Sequence, residues 1–216
     1  MALGLNTESG GGDYTPVAKY DARAGRFFRI DRTQDAAGNW VTNDVDITTG
    51  FQAVFDFENI EIGWVLFAAG VAPSWSLAKY PGQIPPRPSE NHKQCFRLMM
   101  KLGKSSGGDV REFASQAKAV IGAVDALHTQ YEEQKAANPG KLPVVTMTGT
   151  TAIKTTGKGQ TSTNYAPNFE ITKWVDRPAE LIGGQPANEP KAEPVQQMKT
   201  TSQTVAAPAA DDDEEF

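Results

Sequence analysis

Apolar and polar residues alternate along most of this chain, and helical spacing appears in one stretch only. From Arg26 the alternation predicts a strand, with Arg26, Phe28, Ile30 and Arg32 on one side and Phe27, Arg29 and Asp31 on the other. Arg23, Arg26, Arg29 and Arg32 recur every third residue, so they cannot share a strand face. Either this is an edge strand with solvated arginines, or it presents an arginine and an aromatic ring together. Turn-forming residues at 34–39 separate it from two further strands, 40–47 and 51–57. Residues 61–67 are nearly all apolar, which predicts a central strand, with Gly63 marking a bend or bulge. Residues 73–88 read as a proline-rich loop carrying Trp75 and Tyr80. Trp75 there is either a lid on the core or a stacking group. Residues 93–102 alternate most cleanly. Gln94, Phe96, Leu98, Met100 and Leu102 form the face expected to be buried. Lys93, Cys95, Arg97, Met99 and Lys101 form a face expected to be basic and wet.

After Gly107 and Gly108 the period changes. Asp109 with Glu112 resembles a capping box, and apolar residues from Val110 to Tyr131 follow at spacings of three and four. A helix is predicted to about Ala137, stopped by Asn138, Pro139 and Gly140. Two strands follow, 142–154 and 169–175, with a polar loop at 155–165 that holds Lys158. Several strands, one helix, then two strands is the plan of an OB-fold. The expected fold is mainly β: an OB-fold-like five-stranded Greek-key barrel with extra strands and one long α-helix. The expected organisation is a loose arm at 1–18, a folded domain at 19–177, a disordered linker at 178–210 and an acidic tail at 211–216. The linker is rich in Pro, Ala, Gln, Thr and Glu and lacks apolar periodicity.

Charge sharpens that division. The formal net charge is −5, and the tail alone supplies five acids: Asp211, Asp212, Asp213, Glu214 and Glu215, followed by Phe216. The rest of the chain is therefore neutral. Runs of like charge of this length are usually interaction tails. Cys95 is the only cysteine, the first residues lack the pattern of a secretory signal, and no apolar run reaches membrane-spanning length. A cytoplasmic, non-membrane protein is expected. His92 and His128 lie far apart with no neighbouring ligand cluster, so no metal is expected. Gly103, Lys104 and Ser105 imitate the end of a phosphate loop, but Leu98 stands where its first glycine is due. No catalytic motif is present, so neither an enzyme nor a cofactor is expected.

The acidic run closed by Phe216, after a flexible connector, resembles the ending of phage and bacterial single-stranded DNA-binding proteins. Glu214 and Glu215 stand where the bacterial form has Ile-Pro, nearer the phage versions. Residues 167–178 and 20–30 also resemble phage OB-fold proteins of this kind. The resemblance implies sequence-independent binding and protection of single-stranded DNA in replication, recombination or repair. It implies too that the tail competes for the DNA groove and recruits replication or recombination proteins. Such binding needs cations and stacking platforms. The candidate cations are Arg29, Lys93, Arg97, Lys101, Lys154 and Lys158; the candidate platforms are Phe27, Trp64, Trp75, Tyr80 and Tyr165. Trp40 and Trp174 are either platform or core. The alternative reading is a non-enzymatic assembly protein whose tail binds a basic partner. Deleting 211–216 is expected to tighten DNA binding in a low-salt titration, and an unchanged or weaker affinity would exclude competition by the tail.

Overall fold

The computed structural model describes residues 15–69, 71–157 and 160–181. Most of the expected arm, Lys158, the linker from 182 onward and the whole acidic tail (Asp211, Asp212, Asp213, Glu214, Glu215, Phe216) lie outside the described residues. Ten strands and one α-helix fill the rest. They are β1 Val17–Asp21, β2 Arg26–Gln34, β3 Trp40–Asp46, β4 Gln52–Phe55, β5 Glu61–Leu66, β6 Ser74–Lys79, β7 Lys93–Leu102, β8 Val110–Ser115, α1 Lys118–Gln134, β9 Lys141–Gly157 and β10 Gln160–Asp176.

All ten strands join one mixed sheet, ordered β10-β9-β4-β7-β8-β1-β2-β3, with β5 on β7 and β6 on β5. β7 is the hub. One of its edges pairs with β8; the other is shared, Met100–Leu102 going to β4 and Lys93–Arg97 to β5. Every ladder is antiparallel except that of β1 with β8. The sheet is open, where the sequence predicts a closed barrel. β10 approaches β1, two strands in from the β3 end, through single hydrogen bonds and not through a ladder: the Tyr165 N–H donates to the Ala22 carbonyl at 2.6 Å, and the Tyr20 hydroxyl donates to the Tyr165 carbonyl at 3.1 Å.

The inner face of the curled sheet holds an aromatic core. Phe27 stacks on Phe51 with ring centroids 4.2 Å apart, and Phe55, Phe57 and Phe113 are also fully buried. Val120, Val124, Leu127 and Tyr131 of α1 close one side of this core. Such rings supply large apolar area together with favourable edge and offset contacts.

Five sequence expectations are corrected here. The helix starts at Lys118, because 110–115 forms β8. Phe113 satisfies a helical stripe and a strand face equally well, and two flanking strands, β7 and β1, take up the backbone of β8. Asp109 pairs with Arg111 at 2.6 Å and does not cap the helix. The proline-rich loop contains β6, in register with β5 from Glu61–Lys79 to Leu66–Ser74. The polar loop at 155–165 is instead the far half of the β9–β10 hairpin, paired out to Gly157 and Gln160. Its β-branched threonines favour extended backbone even where no face is buried. Finally, the expected wet face of β7 is covered: Cys95, Arg97 and Met99 are all buried.

Part of that cover comes from the chain beyond β10. Arg177 forks onto Asp56 at 2.7 and 2.9 Å and also reaches Glu58, Glu180 pairs with Lys101, and Leu181 packs with Met99 and Leu142. Residues 178–181 of the expected linker and Val17 of the expected arm are thus among the described residues and carry regular structure or contacts. No helix among the described residues is long and apolar enough to cross a membrane.

At Gly63, β5 and β6 approach so closely that a Cβ would lie 2.1 Å from the Ser76 carbonyl oxygen. Gly63→Ala is expected to cost about 1–3 kcal/mol through overpacking, read as a lowered denaturation midpoint. An unchanged midpoint would show that the hairpin shifts freely.

Candidate nucleic-acid interface

Register decides which side chains share the outer face of the sheet, because residues directly opposite point the same way. Lys19 lies opposite Phe28, which lies opposite Asp46. Ala18 and Tyr20, one residue to either side of Lys19, are buried in the core, so Lys19 and Phe28 point outward. Arg26, Ile30 and Arg32 share the side of Phe28. In the other half of the sheet, Glu61 lies opposite both Lys79 and Arg97, and Val65 opposite both Trp75 and Lys93. From β6 to β3 this face crosses six strand steps, about 29 Å at ~4.8 Å per step.

Aromatic rings and cations gather at two places along it, Phe28 with Lys19 and Arg26 on β1 and β2 and Trp75 and Phe67 with Lys93 around β5–β7. Glu112, Asp44 and Asp46 share the face, and Arg26 pairs with Asp46 at 2.9 Å. Phe28 is half-buried, while Lys19, Arg26 and Lys93 are exposed. Phe67, 48% exposed, meets Trp75 edge-on with centroids 5.6 Å apart. The Arg97 guanidinium sits 5.3 Å from the Trp75 ring centre, and the Arg32 guanidinium 5.7 Å from that of Trp40, which is 63% exposed. Beneath the aromatic layer Arg97 pairs with Glu61 at 2.7 Å. Burial raises the pKa of Glu112 nearby, while Arg97 lowers it and Glu61 adds to the rise. Burial also pushes the Cys95 thiol up to about 12, so it is an inert core group.

The residues singled out from the sequence divide sharply. Trp75 and Lys93 reach the outer face. Lys154 is exposed on β9 opposite Thr163, towards the far end of the hairpin. Phe27 is corrected to core, with 0% exposure. Arg29 shares the inner side of β2, where it pairs with Asp31 at 2.8 Å and donates to the Ser106 carbonyl at 3.3 Å. Arg97 is a buried, paired support for Trp75 and not a free cation. Lys101 is engaged by Glu180. Trp64 anchors a loop: its Nε1 donates to the Pro85 carbonyl at 2.8 Å, and Arg87 lies over its ring at 5.3 Å. Tyr165 packs against Gly25 at the β1–β2 turn. Trp174 stacks on Tyr131, so it belongs with the helix. The sequence reading missed Phe28, Lys19 and Phe67. Alternation had separated Phe27 from Phe28 correctly. What assigns Phe28 outward is the partner strand, since Ala18 and Tyr20 face the core.

Tyr80 belongs to a different feature, a cleft of about 220 Å³ between the sheet and α1, lined by Ile60, Ile62, Phe96, Ile121 and His128 among others. The Tyr80 ring meets His128 edge-on at 4.8 Å, and Phe57 and Tyr131 flank the same imidazole. Burial lowers the pKa of His128, against the pull of Glu132 and Asp125; Lys135 lowers it further. A base whose folded-state pKa is depressed takes its proton more readily when unfolded. Its contribution is therefore intact above the ordinary histidine value of about 6.5 and is lost as the pH falls below it. His128→Phe is expected to lose less stability than the native protein between pH 7 and pH 5 in denaturant titrations, and equal losses would remove His128 as the cause. Among the described residues no group of three or more His, Cys, Asp or Glu side chains is placed to hold a metal ion. No protein-family model, curated protein or solved structure matches this chain.

Proposed function

We propose that this protein binds single-stranded DNA without sequence preference along the outer face of its sheet, protecting it during phage DNA replication, recombination or repair. The observation that carries the reading is that Phe28 beside Lys19, and Trp75 and Phe67 beside Lys93, lie on one face of the sheet. Rings of that kind stack bases at about 1–3 kcal/mol each, whatever the base, and the cations follow the phosphates.

The strand connectivity supports the same reading. β5–β7–β8, then α1, then β9–β10, with β4 joining β7 to β9, follows the OB plan without its closure. β1 occupies the place beside β8 that a closing strand would take, and pairs with it in parallel. In OB-folds the face of strands two and three and the loop between strands four and five engage oligonucleotides. The corresponding elements here are β7 and β8, whose outer side is closed over Cys95, Arg97 and Met99 and open at Lys93, and the β9–β10 hairpin with Lys154. The last described residue, Leu181, packs with Met99 near the outer face of β7. In this reading the tail competes with DNA for that face and, once displaced, recruits replication or recombination proteins.

A fluorescence titration with an oligo-dT and a matched duplex, at two salt concentrations, tests the reading. Tight, single-strand-preferring, salt-sensitive binding is expected. Phe28→Ala and Trp75→Ala should each weaken it roughly 5- to 150-fold. Lys93→Ala should lower the salt slope by about 0.7. Phe27→Ala should instead cost about 3–5 kcal/mol of stability. Absence of binding, or equal affinity for duplex, would discard the proposal.

A further inference from the structure

β3 is the last strand of the sheet, and among the described residues no strand pairs with its outer edge; its only charged residues are Asp44 and Asp46. Natural edges are commonly blunted by proline, lysine or a bulge. β10, at the opposite end, carries Pro167 and two register breaks, after Asn168 and after Ile171. The short edge strand β6 follows Pro73 and is succeeded by Pro81. β3 has seven residues, no proline, no lysine and an unbroken register with β2.

The direction of its backbone groups follows from two hydrogen bonds. Ile47 donates to Phe27 at 2.9 Å and Asp35 donates to the Asn39 carbonyl at 2.9 Å, so the 27–47 and 35–39 pairs are hydrogen-bonded. In an antiparallel ladder such pairs alternate with non-bonded ones. Val41, Asn43 and Val45 therefore direct their N–H and C=O groups to β2. Trp40, Thr42, Asp44 and Asp46 direct theirs away from the sheet.

We infer that the occupant of this edge is β3 of a second copy, paired antiparallel about a two-fold axis at Asn43. This register uses all seven residues. It sets Thr42 against Asp44 of the second copy, Trp40 against Asp46, and Val41 against Val45. No like charges stand directly opposite each other, and all four outward-directed residues gain backbone partners. Val41 is 45% exposed and Trp40 63% exposed, so the pairing buries apolar surface now open to water. A register centred on Asp44 would oppose two carboxylates, and one centred on Thr42 would run Val45 and Asp46 into the turn. The axis is perpendicular to the sheet, so the two outer faces become one surface with Trp40 at the seam. Self-association stands without the DNA reading; the doubled binding track rests on it.

The full-length chain, free of nucleic acid, is followed by sedimentation velocity over a hundred-fold concentration range. Reversible dimer formation is expected, abolished by Thr42→Pro and by Val41→Asp, with circular dichroism confirming that each variant folds. Register is read by oxidative cross-linking. Asn43→Cys should give covalent dimer at least ten times faster than Thr42→Cys or Asp44→Cys, because only residue 43 meets itself across the axis at a distance a disulfide spans. Cys95 is buried and does not compete. A native chain that stays monomeric, a dimer indifferent to both edge variants, or equal cross-linking at 42, 43 and 44 would each overturn the inference. Because DNA is absent, none of these results bears on the titration above.

Discussion

The fold depends on β7 being hydrogen-bonded along both edges. With β8 on one side and β4 and β5 sharing the other, its ten residues tie the two halves of the sheet together. The sharing forces the structure's main compromise. Two strands can use one edge only if the sheet splays between them, and a splayed sheet exposes its inner surface unless something fills it. The phenylalanine cluster and one side of α1 fill it here. The same centrality explains why both faces of β7 are buried although its sequence alternates. Arg97 and Lys101 are accommodated by carboxylates from β5 and from the segment after β10.

That arrangement shows what the sequence can and cannot disclose. Strands with one wet face were legible, as was a helix, since periodicity reports the contrast between faces. β6 was hidden by its flanking prolines, and the far half of β9–β10 by being polar on both sides. The boundary between β8 and α1 was hidden because Phe113 fits both periods. For the candidate interface, the sequence identified the two sides of β2 but not which side faced water. Phe27 and Phe28 are equivalent in isolation; β1 distinguishes them by placing Tyr20 and Lys19 opposite. Arg29 and Arg97 looked available because their carboxylate partners, Asp31 and Glu61, come into reach only through strand geometry.

The outer face is therefore less a patch of charge than a layered assembly. Rings lie at the surface, a guanidinium supports one of them, and carboxylates neutralise that guanidinium from below. Burying the ion pair costs desolvation, which is offset only when both partners are held. A support of this kind fixes the ring plane without placing its own charge in the solvent. The positive charge that reaches water comes from Lys19 and Lys93, while Arg26 pairs with Asp46 at 2.9 Å.

The clasp formed by Arg177, Glu180 and Leu181 has a mechanical meaning. It joins the end of β10 to the short turn after β4 and to β7, through an ionic fork, a second ion pair and a buried leucine. A pull on the chain beyond Leu181 loads Leu181 first, then Glu180 and then the Arg177 fork. Without them the same pull would fall on the Asp176–Lys141 end of the hairpin, where the ladder opens one pair at a time, as a zip does. The clasp thus puts three further attachments between such a pull and the first ladder pair of the hairpin, each of which must open before the hairpin is loaded.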